Sequence, residues 1–64
     1  MQVNGQRYAH RDGLTLHALL GDLSVDRRTV VVMHGDDIYR MESIPDVPVG
    51  EPDVIEIVTM MQGG

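Results

Sequence analysis

A chain of 64 residues forms one domain at most, and the absence of cysteine excludes disulfides, thiolate metal sites and cysteine nucleophiles together. Ten acidic residues against five arginines give a net charge of −5, which disfavours nucleic acid and favours partners with basic docking surfaces. No apolar run reaches membrane-spanning length and the N-terminus lacks a signal-peptide pattern, so the sequence reads as soluble and cytoplasmic.

Met1 to Val3 is a short strand candidate, and Asn4-Gly5 after it is a hairpin signal, because a type I′ turn wants positive φ at both positions. Gln6 to Asp12 is the expected return strand, which sets Val3 opposite Gln6 and Met1 opposite Tyr8. Gly13 breaks that strand. Thr15 is a good helix N-cap, with Leu14 and Leu19 at the hydrophobic-staple positions. Leu16, Leu19, Leu20 and Leu23 recur at i, i+3, i+4 and i+7, the apolar stripe of an amphipathic helix that should end near Leu23. Gly21 inside it costs about 1 kcal/mol relative to alanine. Ser24 to Arg28 is a polar loop.

Val30 to Met33 is a continuous apolar run, which predicts a strand buried on both faces. Gly35-Asp36-Asp37 is turn chemistry and Ile38 to Met41 a short strand. Glu42 to Asp53 holds three prolines and a glycine and reads as an irregular crossover with room for one helical turn. Val54 to Met61 is the last strand, with Ile55 and Ile57 inward and Glu56 outward. The order is hairpin, helix, strand, short strand, crossover, strand. It predicts an α+β fold in which one main helix packs across a mixed sheet of four to five strands, a β-grasp (ubiquitin-like) domain over residues 1–61. Residues 62–64 extend beyond it as a flexible Gly-Gly tail.

Several pieces resemble the ThiS-type sulfur carriers of the wider ThiS/MoaD ubiquitin-like group. Leu14-Thr15-Leu16 with Leu19-Leu20 resembles the family's helix. Val30 to Met33 with Gly35 and Arg40 resembles its strand and turn, and Asp53 to Val58 its "GD.IEIv" segment. Gly63-Gly64 matches the end of the family pattern. The sequence departs from that pattern at His34, where asparagine is usual, at Tyr39, at Pro52 before Asp53, and at Gln62.

The resemblance implies a carrier or co-substrate rather than an enzyme. Its Gly64 carboxylate is adenylated by a ubiquitin-activating-like adenylyltransferase (ThiF/MoeB type) that uses ATP and magnesium. It is then converted to a thiocarboxylate with sulfur from a persulfide donor, and the chain itself binds no cofactor. The receiving enzyme is expected to be a ThiG-type synthase making the thiazole of thiamine. Molybdopterin-synthase small-subunit-like carriers and ubiquitin-like protein modifiers remain open alternatives.

Physical reasons favour such an end. A free α-carboxylate is ionised at neutral pH and must be activated before sulfur can be added. Gly63 and Gly64, without β-carbons, fit a narrow water-excluding channel. Met60 and Met61, adaptable at contact surfaces, are candidate docking residues together with Arg40, and Gln62 and Gly63 complete the tail. The rival for the methionines is simple cover for the end of the core. His10, His17 and His34 lack metal-ligand spacing, so no metal site is expected. Asp36-Asp37 and Arg27-Arg28 read as solvated loops. With no lysine in the chain, side-chain amide links between copies cannot form.

Overall fold

The structure, a computed structural model, describes residues 1–60. Five strands and one helix run in the order β1 (Gln2–Val3), β2 (Gln6–Arg7), α1 (Leu16–Asp22), β3 (Val30–His34), β4 (Asp37–Tyr39) and β5 (Val54–Thr59). The sheet order is β2-β1-β5-β3-β4. β1 and β5 are parallel, with Gln2 opposite Val54 and Val3 opposite Ile55. The other pairs are antiparallel. This mixed sheet with one helix across it is the expected β-grasp.

The hairpin forms as its turn residues dictate. Asn4 and Gly5 take φ of 52° and 81°, the positive values of a type I′ turn. Val3 pairs with Gln6 and Gln2 with Arg7, and Tyr8 N–H donates to the Met1 carbonyl at 3.0 Å. The register is the one expected, but the return strand ends at Arg7 rather than Asp12. Beyond Tyr8 the chain has too little apolar alternation to hold a sheet edge, and it turns toward the crossover instead.

The helix is capped at both ends. The Thr15 hydroxyl accepts from Ala18 N–H at 3.3 Å. Ser24 N–H donates to the Gly21 carbonyl and Val25 N–H to the Leu20 carbonyl. These are the paired bonds of a Schellman motif, with Ser24 at φ 59° in the left-handed position that glycine usually fills. Leu16, Leu19 and Leu20 enter the core with Val3, Leu14, Val30, Val32 and Ile55. Ile44 and Val49 of the crossover close it.

Two further boundaries shift, and the crossover differs from expectation. β4 is Asp37–Tyr39 rather than Ile38 to Met41, because the Arg40 carbonyl accepts from Ser43 N–H and starts a turn. β5 ends at Thr59, although Met60 N–H still donates to the Thr29 carbonyl at 2.8 Å. The crossover contains no helical turn. Its backbone pairs with the entrance of the helix instead, through Leu16 N–H to the Val47 carbonyl and Val49 N–H to the Leu14 carbonyl, both at 2.9 Å.

The expectation of a β3 buried on both faces is corrected. Val30 and Val32 are buried beneath the helix, whereas Val31 and Met33 are only half-buried on the opposite face. No element among the described residues covers that second face. The run is apolar for a reason other than two-sided packing.

Candidate functional site

The register of the sheet gathers its uncovered residues onto one surface. Val31 lies opposite Val58, Met33 opposite both Glu56 and Ile38, and Gln2 opposite Val54. Because side chains alternate along a strand, these residues share the face away from the helix. Four of its apolar members are exposed (Ile38 61%, Val54 50%, Val58 43% and Met60, which continues the alternation of β5, 49%), while Val31 and Met33 between them are half-buried. Glu56 is the one acid among them. Exposed apolar side chains gathered on one face make it a candidate contact surface.

This surface lies beside the start of the expected tail. The bond from Met60 N–H to Thr29 holds the chain against β3 up to the last described residue, so the chain leaves β5 from a fixed place. Gly64, Gly63, Gln62 and Met61 lie outside the described residues. Arg40 is exposed in the turn after β4. Since Tyr39 pairs with Val32 and Val30 with Thr59, Arg40 stands at the same end of the sheet as Met60, two strands away. The structure thus brings Met60 and Arg40 to one end, and it adds Ile38, Val54 and Val58, which the sequence marks only as strand residues. The signal for them is present in the continuous run of β3: a one-sided sheet needs only alternate apolar residues.

The three histidines have a structural task. Each ring places Nε2 on the crossover: His10 on the Val49 carbonyl at 2.6 Å, His17 on the Ile44 carbonyl at 2.7 Å, and His34 on the Asp53 carboxylate at 2.7 Å. Arg27 Nη1 lies against the His17 ring, 2.6 Å from Nδ1 and 3.0 Å from Nε2. An irregular segment whose backbone forms only a single bridge, at Thr15 and Pro48, is thereby tied further to the hairpin side, the helix and β3. Among the described residues no group of three His, Cys, Asp or Glu side chains could hold a metal ion.

Asp53 is the knot of this arrangement. Its carboxylate accepts from His34 and from Gly50 N–H at 2.8 Å, and its carbonyl accepts from Gln2 N–H at 3.0 Å. The His34 hydrogen bond first, and the Gly50 N–H second, hold its pKa below the ordinary carboxyl value. The departures from the family pattern at His34 and Pro52 are therefore spatially joined: the histidine reaches the carboxylate of the turn that contains the proline. At the other end, Arg28 grips Asp26 through two nitrogens at 3.2 and 3.0 Å. That pairing lowers the Asp26 carboxyl pKa. Arg27 and Arg28 are both exposed, as expected of a solvated loop, with Arg28 paired to Asp26 and Arg27 against the His17 ring. No helix among the described residues is long and apolar enough to cross a membrane.

Comparison with known proteins agrees with this architecture. The model of the ThiS family matches residues 1–64. The sulfur carrier protein ThiS of Thermus thermophilus is 34% identical over 53 residues, which cover 83% of each chain. A thiazole synthase of Paramagnetospirillum magneticum is 37% identical over 62 residues, 97% of this chain but 19% of that protein. The chain therefore spans about a fifth of that relative's length. Given its β-grasp topology and a family match along its whole length, the chain belongs to the ThiS family of sulfur carriers.

Proposed function

We propose that this chain carries sulfur as a thiocarboxylate at Gly64 and that the acceptor is a thiazole synthase in thiamine biosynthesis. The observation that carries the carrier role is the ThiS family match over residues 1–64. The observation that favours this acceptor is the relative named thiazole synthase, in which a region like this chain is joined to the rest of that protein. A carrier and its acceptor are the kind of pair that gains from a high effective concentration in one polypeptide.

In this reading the catalytic groups belong to partners. An adenylyltransferase of the ThiF/MoeB type, using ATP and magnesium, joins the Gly64 carboxylate to AMP and releases pyrophosphate. The terminal sulfur of a persulfide donor attacks the acyl carbon and displaces AMP, forming an acyl disulfide with the donor. A thiol then cleaves that S–S bond, forming a disulfide with the donor's remaining sulfur and leaving the thiocarboxylate on Gly64. The carrier's own residues dock and deliver. Val54, Val58, Ile38 and Met60 supply the apolar contact on the open sheet face, with Arg40 at its margin. The histidine-tied crossover and the Met60–Thr29 bond keep β5 fixed while the tail enters the partner. Met61 and Gln62 bridge β5 to Gly63 and Gly64. The protein acts in the cytoplasm, where the carrier, donor and acceptor meet.

Complementation tests the pathway. In a bacterial host that lacks its own thiamine sulfur carrier, this chain, produced together with the adenylyltransferase and thiazole synthase of its own organism, should restore growth without added thiazole. Restoration should vanish when Gly64 is deleted. Growth that is not restored by the intact chain, with the partners shown active on another carrier, overturns the assignment.

A further inference from the structure

The hairpin is too short to cover β5. β1 ends at Val3, and the Asn4-Gly5 turn carries the chain away at once. β5 continues for four more residues. The direction of its backbone groups is given by its hydrogen bonds. The carbonyls of Asp53 and Ile55 accept from Gln2 and Asn4 on the hairpin side, whereas Val54 and Met60 bond with Gly35 and Thr29 on the β3 side. Odd-numbered residues of β5 therefore face the hairpin and even-numbered ones face β3. The first odd donor past the hairpin, Ile57 N–H, is met by the Asn4 side-chain oxygen at 2.7 Å. The Ile57 carbonyl and both backbone groups of Thr59 have no partner among the described residues.

Beside this half-edge, on the helix side of the sheet, runs a groove of about 300 Å³. Val3, Tyr8, Leu23, Val25 and Ile57 line it together with the uncharged polar residues Asn4, Gln6 and Thr59, and no charged side chain does so. On a chain with a net charge of −5, an uncharged groove against an open strand edge is distinctive. Unpaired backbone groups at a sheet edge are complemented by another extended backbone. The groove selects the side chains: every second residue of an added strand would point into it.

We propose that the Ile57–Thr59 edge of β5 receives an extended segment of the acceptor synthase, uncharged and apolar at alternate positions, as a sixth strand. This rests on the acceptor reading above. The edge continues directly into the residues that lead to Gly64, so one added strand would grip the carrier and align the tail for sulfur transfer. The surface differs from the open apolar sheet face, which uses the even-numbered side chains of β5. The two can be occupied by different partners or by different parts of one.

Amide hydrogen exchange measured by NMR tests it on the full chain, alone and with the thiazole synthase of the same organism. In the free chain the Thr59 amide exchanges fast while its neighbours Val58 and Met60, bonded to β3, are protected. In the complex Thr59 becomes protected. Thr59→Pro removes that donor without touching the β3 ladder and is expected to weaken binding about tenfold, whereas Thr59→Ala changes it less than about threefold. A complex in which Thr59 exchanges as it does in the free chain overturns the proposal and leaves the acceptor reading intact. Protection that grows with carrier concentration in the absence of synthase assigns the edge to a second copy and also overturns it. Failure of any complex to form removes the acceptor reading and this proposal together.

Discussion

Val58 offers a separation of docking from folding. It lies on the open face, 43% exposed, opposite Val31. Fully burying a valine side chain contributes about 1.5–3 kcal/mol. The fraction still exposed in the free carrier leaves about 0.6–1.3 kcal/mol for a partner to gain by covering it, which is a factor of about 3 to 10 in affinity. Val58→Ala should therefore weaken binding to the adenylating partner by that factor. Val58→Asp should weaken it further, because the interface would bury an unpaired carboxylate. The folded state is less sensitive: the substitution faces solvent, and strand propensity changes by about 1 kcal/mol at most. The assay is titration calorimetry or competition binding with the partner, beside thermal melts of each variant. Binding of Val58→Asp at wild-type affinity, with the fold intact, would refute the open face as the docking surface.

Three further outcomes concern the fold that holds the site. Ser24→Gly relieves about 1–2 kcal/mol of left-handed strain and gives back about 0.5–1 kcal/mol of unfolded-state entropy. With an unfolding entropy of roughly 0.13 kcal/mol/K for a chain of this length, the net gain of up to about 1.5 kcal/mol should raise Tm by up to about 11 °C, and a lower Tm contradicts the cap geometry. Leu20→Ala, at a fully buried position, should cost about 2–5 kcal/mol, most of the stability of so small a domain, and circular dichroism should show a large loss of the folded fraction on warming. Asp53→Ala should cost about 2 kcal/mol at neutral pH through loss of the His34 and Gly50 bonds. Because Asp53 has a depressed folded-state pKa, its contribution is present above the unfolded carboxyl value of about 3.9 and is lost as pH falls through the lower folded value. Denaturant titrations of the two proteins should therefore converge at acid pH, and a difference that grows on acidification would contradict the assignment.

The sequence carried the hairpin, the helix and the strand order because their signals are local. Asn4-Gly5 prescribes its turn, Thr15 its cap, and the leucine spacing its buried stripe. Boundaries were harder where tertiary partners decide them. Nothing in residues 8–12 says that His10 will bond the Val49 carbonyl, and nothing near Ser24 replaces the glycine expected at a Schellman position. The crossover was legible only as irregular, since the histidines that fasten it come from three distant elements. The open face was hidden for a related reason. An apolar run reads alike whether its second face meets a helix or a partner, and the distinction needs the sheet order.

Intact-mass spectrometry shows whether Gly64 takes up the sulfur. The purified chain is incubated with its adenylating partner, ATP, magnesium, a persulfide donor and a thiol reductant, alongside a chain lacking Gly64. The account predicts that the intact chain gains the mass difference of one oxygen exchanged for one sulfur, that fragmentation places the change at Gly64, and that the truncated chain is unchanged. An unmodified chain, in a reaction that converts another carrier, or a change that survives removal of Gly64, would contradict it.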